Sequence, residues 1–93
     1  MIKEKNKIIH FIGIGGIGMS GIAEFLHFQE FKISGSDLNK SDRTYYLSSL
    51  GIEINIGHSV ANIKNPDMIV YSSAIKMDNI EIIESKNKNI PII

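Results

Sequence analysis

Gly13, Ile14, Gly15, Gly16, Ile17 and Gly18 stand between an apolar run and a segment with helical periodicity. A glycine-rich turn from strand to helix lets the backbone approach a ligand closely. It also aims the unpaired N–H groups of the helix N-terminus at an anion, usually a phosphate. Gly15, Gly16, Ile17 and Gly18 are therefore expected to offer backbone donors to a pyrophosphate, and Ser20 could add a hydroxyl. Asp37 follows about 20 residues later, where this kind of site places a carboxylate on a ribose or base, with Ser36 and Leu38 beside it. Its charge argues against a ligand carrying a 2′-phosphate. His58, Ser72 and Ser73 each follow a strand-like run and could reach ribose or phosphate oxygens.

Other titratable residues suggest less. His10 alternates with apolar neighbours, as a hydrogen-bonded core histidine does. His27 falls late in a helical segment, where a cation suits the helix dipole. The three histidines lack metal spacing, and there is no cysteine, so thiolate metal sites and disulfides are excluded. Nucleophile and base do not pair up, and there is no Gly-x4-Gly-Lys-Ser/Thr loop for ATP phosphates. The reading is a binding domain with neither catalytic residues nor metal ligands of its own.

The elements that must position these residues alternate apolar runs with helical patterns, the mark of βα repeats around a parallel sheet. Strands are expected at 8–12, 31–36, 52–56 and 68–71, with a fifth beginning at Ile92. Helices are expected at 17–28, 41–50 and 78–88, and a short turn at 57–63. Met19, Ile22, Ala23 and Leu26 form one apolar face of the first helix. Gly18 and Gly21 are expected to let that helix pack close to the sheet. Gly51 closes the second helix, whose Tyr45 and Tyr46 read as packing residues. Asp78 and Glu81 have the spacing of a capping box. Right-handed crossovers give an α/β, doubly wound, Rossmann-like sheet of about five strands in the order 3-2-1-4-5, with helices on both faces. The glycine loop and the segments after strands 2, 3 and 4 then meet at one edge, beside the point where strand order reverses.

Ninety-three residues allow a single domain. Ten basic and ten acidic residues balance, so bulk charge points to no nucleic acid or membrane surface. Lys3, Lys5 and Lys7 read as a solvated terminus. No stretch spans a bilayer or resembles a signal peptide, which leaves a cytoplasmic protein as the expectation. Ile90, Pro91, Ile92 and Ile93 read as the opening of a further strand, so the chain is expected to be a piece of a longer protein.

The wording of the motifs resembles the Mur ligase family, in particular the members that add L-alanine to UDP-N-acetylmuramate. The resemblance lies in the stretch 9–23, IHFIGIGGIGMSGIA, with Ser34, Gly35, Ser36 and Asp37, then Gly57 and His58, then Ser72, Ser73, Ala74, Ile75 and Lys76 followed by Asn79. It implies an N-terminal domain, residues 1–93, that binds the UDP part of UDP-N-acetylmuramate. Gly15, Gly16, Ile17 and Gly18 would hold the pyrophosphate, and Asp37 and Leu38 the uracil and ribose. His58, Ser72 and Ser73 would line the same cleft. ATP and Mg²⁺ would be held by a central domain absent from this chain, so the chain alone would not ligate L-alanine. A nicotinamide-dinucleotide domain of a dehydrogenase, or a nucleotide-sensing module, carries the same glycine fingerprint and is the alternative reading.

Overall fold

The computed structural model describes residues 7–93; Lys3 and Lys5 lie outside the described residues, whereas Lys7 is exposed and 4.0 Å from Asp67 Oδ1. The chain runs β1 (Ile8–Ile12), α1 (Met19–Phe28), β2 (Lys32–Asp37), α2 (Asp42–Ser49), β3 (Glu53–Ile56), a 3₁₀ turn (Val60–Asn62), β4 (Met68–Tyr71) and α3 (Ile80–Asn87). The four strands are parallel, in the order β3-β2-β1-β4. The expected order therefore holds, with β3 at the edge. The fifth position is filled by one parallel bridge, Ile92 to Ile69, instead of a strand.

Alternation along β1 sends its side chains to opposite faces. Ile9 and Phe11 join Ile14, Ala23, Ile33, Leu47 and Ile52 in a core covered by α1 and α2. Ile12 joins Ile63, Ile69 and Ile82 on the opposite face, under α3. His10 shares that second face and has no exposed surface.

Local chemistry explains the helix ends. Ser41 is the N-cap of α2, accepting from Thr44 N while the Thr44 side chain accepts from Ser41 N in return. Gly51 follows the α2 C-cap with φ +93°, a left-handed conformation that glycine adopts without strain. For α3 the expected cap is corrected. Asn79, not Asp78, accepts from Glu81 N, and the Glu81 side chain turns inward.

Three packing expectations also change. Gly18 and Gly21 have no neighbour near a hypothetical Cβ, so they do not bring α1 close to the sheet. Gly18 is required for its φ of +84° as the helix N-cap. Close approach occurs at Gly35 in β2, where a Cβ would lie 2.8 Å from Ile14 Cβ. Tyr45 is exposed and does not pack the core. Tyr46 instead donates to Glu24 Oε2 at 2.7 Å and lies beneath the Arg43 guanidinium. Ile22 of the expected apolar face is also exposed, whereas Ala23 is buried and Met19 and Leu26 pack against the core.

Two alanine substitutions separate these roles. Gly35→Ala should lower stability by about 2 kcal/mol, because the buried Ile14 side chain has nowhere to move. Gly21→Ala, on an exposed helical position, should raise stability by about 0.5 kcal/mol. Urea unfolding of both variants checks the contrast, and a comparable loss at both positions would contradict the packing described.

Candidate functional site: a cleft at the carboxyl edge of the sheet

A cleft of about 500 Å³ opens at the carboxyl ends of the strands. Its walls come from the glycine loop (Gly13, Gly15, Gly16), the segment after β2 (Asp37, Leu38, Asn39, Ser41), His58, and the loop after β4. The last of these contributes Ser72, Ala74, Ile75, Lys76, Asp78 and Asn79. Gly15, Gly16, Asp37, Leu38, His58 and Ser72 thus meet in one cleft. Ser36 has no exposed surface and lies beneath it, while Ser73, Ile17 and Gly18 are exposed outside its walls.

The glycine loop is fixed from both sides. Gly13 N and Ile14 N donate to Ser36 O at 2.8 and 3.0 Å, turning the chain sharply off β1. A Cβ at Gly15 would sit 2.9 Å from Thr44 Cγ2 and 3.0 Å from Asp37 Oδ2, so only glycine fits between those groups. The expectation that four loop peptides are open donors is corrected here. Gly15 N donates to Asp37 Oδ2 at 2.8 Å, and Gly16 N donates to Gly13 O at 2.9 Å. The Ile17 and Gly18 N–H groups have no partner among the described residues, and they carry the positive end of the α1 dipole. Ser20 is buried and accepts from Arg43 Nε at 3.0 Å, so its hydroxyl ties α1 to α2.

Under the cleft lies a polar cluster that the spacing of residues did not reveal. Glu81 of α3 has no exposure, and its carboxylate accepts from five groups. Oε1 receives His10 Nε2 and Ser36 Oγ, both at 2.8 Å. Oε2 receives His58 Nδ1 at 3.2 Å, Ser59 N at 3.1 Å and Asn62 Nδ2 at 2.8 Å. His10 Nδ1 pairs with Ser34 Oγ at 2.8 Å, which bears out its reading as a satisfied core histidine. The cluster did leave one trace in the sequence, a histidine and two serines on alternate positions of adjacent strands (His10, Ser34, Ser36). Buried hydroxyls and an imidazole facing one way need a shared partner.

Burial alone would push the Glu81 carboxyl up. The hydrogen bonds from His10, Asn62 and Ser36, with the attraction of His10, outweigh it and hold the group at about 2, below the usual 4.5. The charge is therefore part of the structure.

Residues 8–93 match the sequence pattern of the Mur ligase family, catalytic domain. The chain belongs to the Mur ligase family. It is 59% identical over 91 residues to a UDP-N-acetylmuramate--L-alanine ligase of Clostridium botulinum, covering 98% of this chain and 20% of that protein. A similar relative in Sorangium cellulosum bears the same name and is 47% identical over 93 residues, again 20% of its length. The chain thus spans about a fifth of the curated relatives it matches. The crystal structure of UDP-N-acetylmuramate-alanine ligase from Thermotoga maritima superposes with a TM-score of 0.88 at 40% identity, over 90% of this chain and 20% of that one. The crystal structure of a UDP-N-acetylmuramate:L-alanyl-gamma-D-glutamyl-meso-diaminopimelate ligase from Neisseria meningitides gives a TM-score of 0.83 at 30% identity, over 95% of this chain and 28% of that one. The α/β, Rossmann-like architecture expected from the sequence is that of these domains.

A carboxyl group held below its usual range stabilises the fold above that range and loses the contribution as it protonates. For Glu81, stability should be full above about pH 5 and fall by about 3 kcal/mol on the way to pH 2. Urea unfolding across that window checks this, and Glu81→Gln should remove this part of the acid dependence. An unchanged acid slope in that variant would contradict the arrangement.

Proposed function

We propose that this chain is the N-terminal, uridine-nucleotide-holding domain of a ligase that joins L-alanine to UDP-N-acetylmuramate in peptidoglycan synthesis. The observation that carries the reading is the match over 98% of the chain, at 59% identity, to a protein of that name. The cleft supports it, since it lies at the strand-order reversal where such sheets take their ligands.

On this reading the chain binds and orients. The free N–H groups of Ile17 and Gly18 hold the anionic pyrophosphate at the N-terminus of α1. Gly15 and Gly16 keep the loop low enough for the phosphates to approach. Asp37 braces the loop through Gly15 N and turns its other oxygen toward Asn39 N, 3.3 Å away. With Leu38 it forms the wall for uracil and ribose. His58, Ser72 and Ser73 contact the remaining polar atoms of the nucleotide. ATP and Mg²⁺ do not fit this chain, which has no phosphate-binding Gly-x4-Gly-Lys-Ser/Thr loop. They belong to the other domains of the enzyme, where ATP activates the muramate carboxylate for attack by the amine of L-alanine. The whole works in the cytoplasm, where these nucleotides are found.

Calorimetric titration with UDP-N-acetylmuramate, UDP and NAD tests the reading. Both uridine ligands should bind, and NAD should not. Asp37→Ala should weaken UDP about tenfold, or about 1.4 kcal/mol. Saturable NAD binding without a uridine response would overturn the proposal in favour of a nicotinamide-dinucleotide domain.

A further inference from the structure

The buried cluster does more than fill the space under α3, because its donors and acceptors can be counted. Ser36 Oγ has a single proton, and that proton goes to Glu81 Oε1 at 2.8 Å. Toward His58 Nδ1, 3.0 Å away, Ser36 Oγ can therefore only accept. Glu81 Oε2, 3.2 Å from the same nitrogen, is a carboxylate oxygen and also only accepts. Two acceptors facing one ring nitrogen require that nitrogen to carry the hydrogen. Ser59 N and Asn62 Nδ2 saturate the other side of Oε2, so the carboxylate cannot rotate away. His58 Nε2 has no hydrogen-bond partner among the described residues, yet no buried polar atom is left unpaired. That nitrogen is accordingly open to solvent, on a residue that lines the cleft.

We propose that Glu81 is a positioning residue that fixes which nitrogen of the His58 ring keeps its hydrogen, Nδ1, so that the uncharged form of the ring presents Nε2 as a hydrogen-bond acceptor for an O–H or N–H donor of the ligand. The inference rests on the uridine-nucleotide reading and sharpens it. In that form the bare Nε2 repels phosphate oxygens, which are acceptors too. It selects instead a ribose hydroxyl or the uracil imide N–H, the donors that uridine nucleotides present. A donor-selecting imidazole in a cleft whose anion contacts come from the α1 N-terminus divides the work. The helix end takes the charge, and His58 reads the nucleoside.

The ring can be observed directly. Nitrogen-15 NMR of the chain at about pH 8, where an ordinary imidazole is neutral, reports which nitrogen carries the proton. The wild-type spectrum should show Nδ1–H on His58. Glu81→Gln places an amide donor among the same partners and should shift the ring toward Nε2–H. An Nε2–H or doubly protonated ring in the wild type would overturn the assignment without any variant. For the ligand half, affinities for UDP, 2′-deoxy-UDP, 3′-deoxy-UDP and N3-methyl-UDP are compared in wild type and His58→Ala. One analogue should bind the wild type about tenfold more weakly than UDP, and that difference should vanish in His58→Ala. The analogue that loses binding identifies the donor. Equal discrimination in both proteins would overturn the acceptor role. Absence of binding by all four would overturn the ligand half together with the nucleotide reading, while the ring spectrum decides Glu81's part separately.

Discussion

A carboxylate removed from water must find donors on every side, and Glu81 finds them on β1, β2 and the turn after β3. An unpaired buried charge costs several kcal/mol, so the arrangement is close to all-or-none. Glu81 sits on α3, far along the chain from His10 and Ser36, and its hydrogen bond to His10 reaches across 71 positions. The apolar cluster of Ile12, Ile63, Ile69 and Ile82 brings α3 to the sheet without dictating its register. The five hydrogen bonds add that register, since a rotation of the helix would strand His10 and Ser36 together.

The cleft inherits its shape from that constraint. Ser36 is joined to Glu81 below, while its carbonyl holds the Gly13 and Ile14 amides above. The floor of the site and the turn of the glycine loop are thus set by neighbouring atoms of one residue. His58 is clamped from the same carboxylate, and Asp37, next in sequence to Ser36, braces Gly15. Three loops that share no sequence proximity are held at one edge by a few polar contacts.

How much of this was legible depended on the range of the interaction. The strands at 8–12 and 68–71, the Ser41 cap and the Gly51 stop are local, and residue type at fixed spacing announces them. Glu81 lies at the opposite extreme. Three residues after Asp78 it has capping-box spacing, yet its side chain answers to His10, 71 positions away. Nothing within a helix window can signal such a partner. The glycines show the same division. Their number in the loop declared a close approach, but which glycine makes it depends on Thr44, Ser72 and Asp37, brought in from other elements. In place of the expected fifth strand, β4 has one parallel bridge, Ile69 to Ile92. Of the ten residues expected at the site, six line the cleft; Ser36 supports it from below, an arrangement that strand alternation alone does not distinguish from facing it.

On the proposed reading, a uridine nucleotide occupies the edge that Glu81 organises. Backbone amide shifts of the isotopically labelled chain, followed as UDP is added, test it most directly. The largest changes should fall on Gly15, Gly16, Ile17, Gly18, Asp37, Leu38, His58 and Ser72, with the amides at the opposite ends of the strands unmoved. Changes concentrated instead around Lys32, Glu53 and Lys64, at the smaller hollow elsewhere on the sheet, would contradict it.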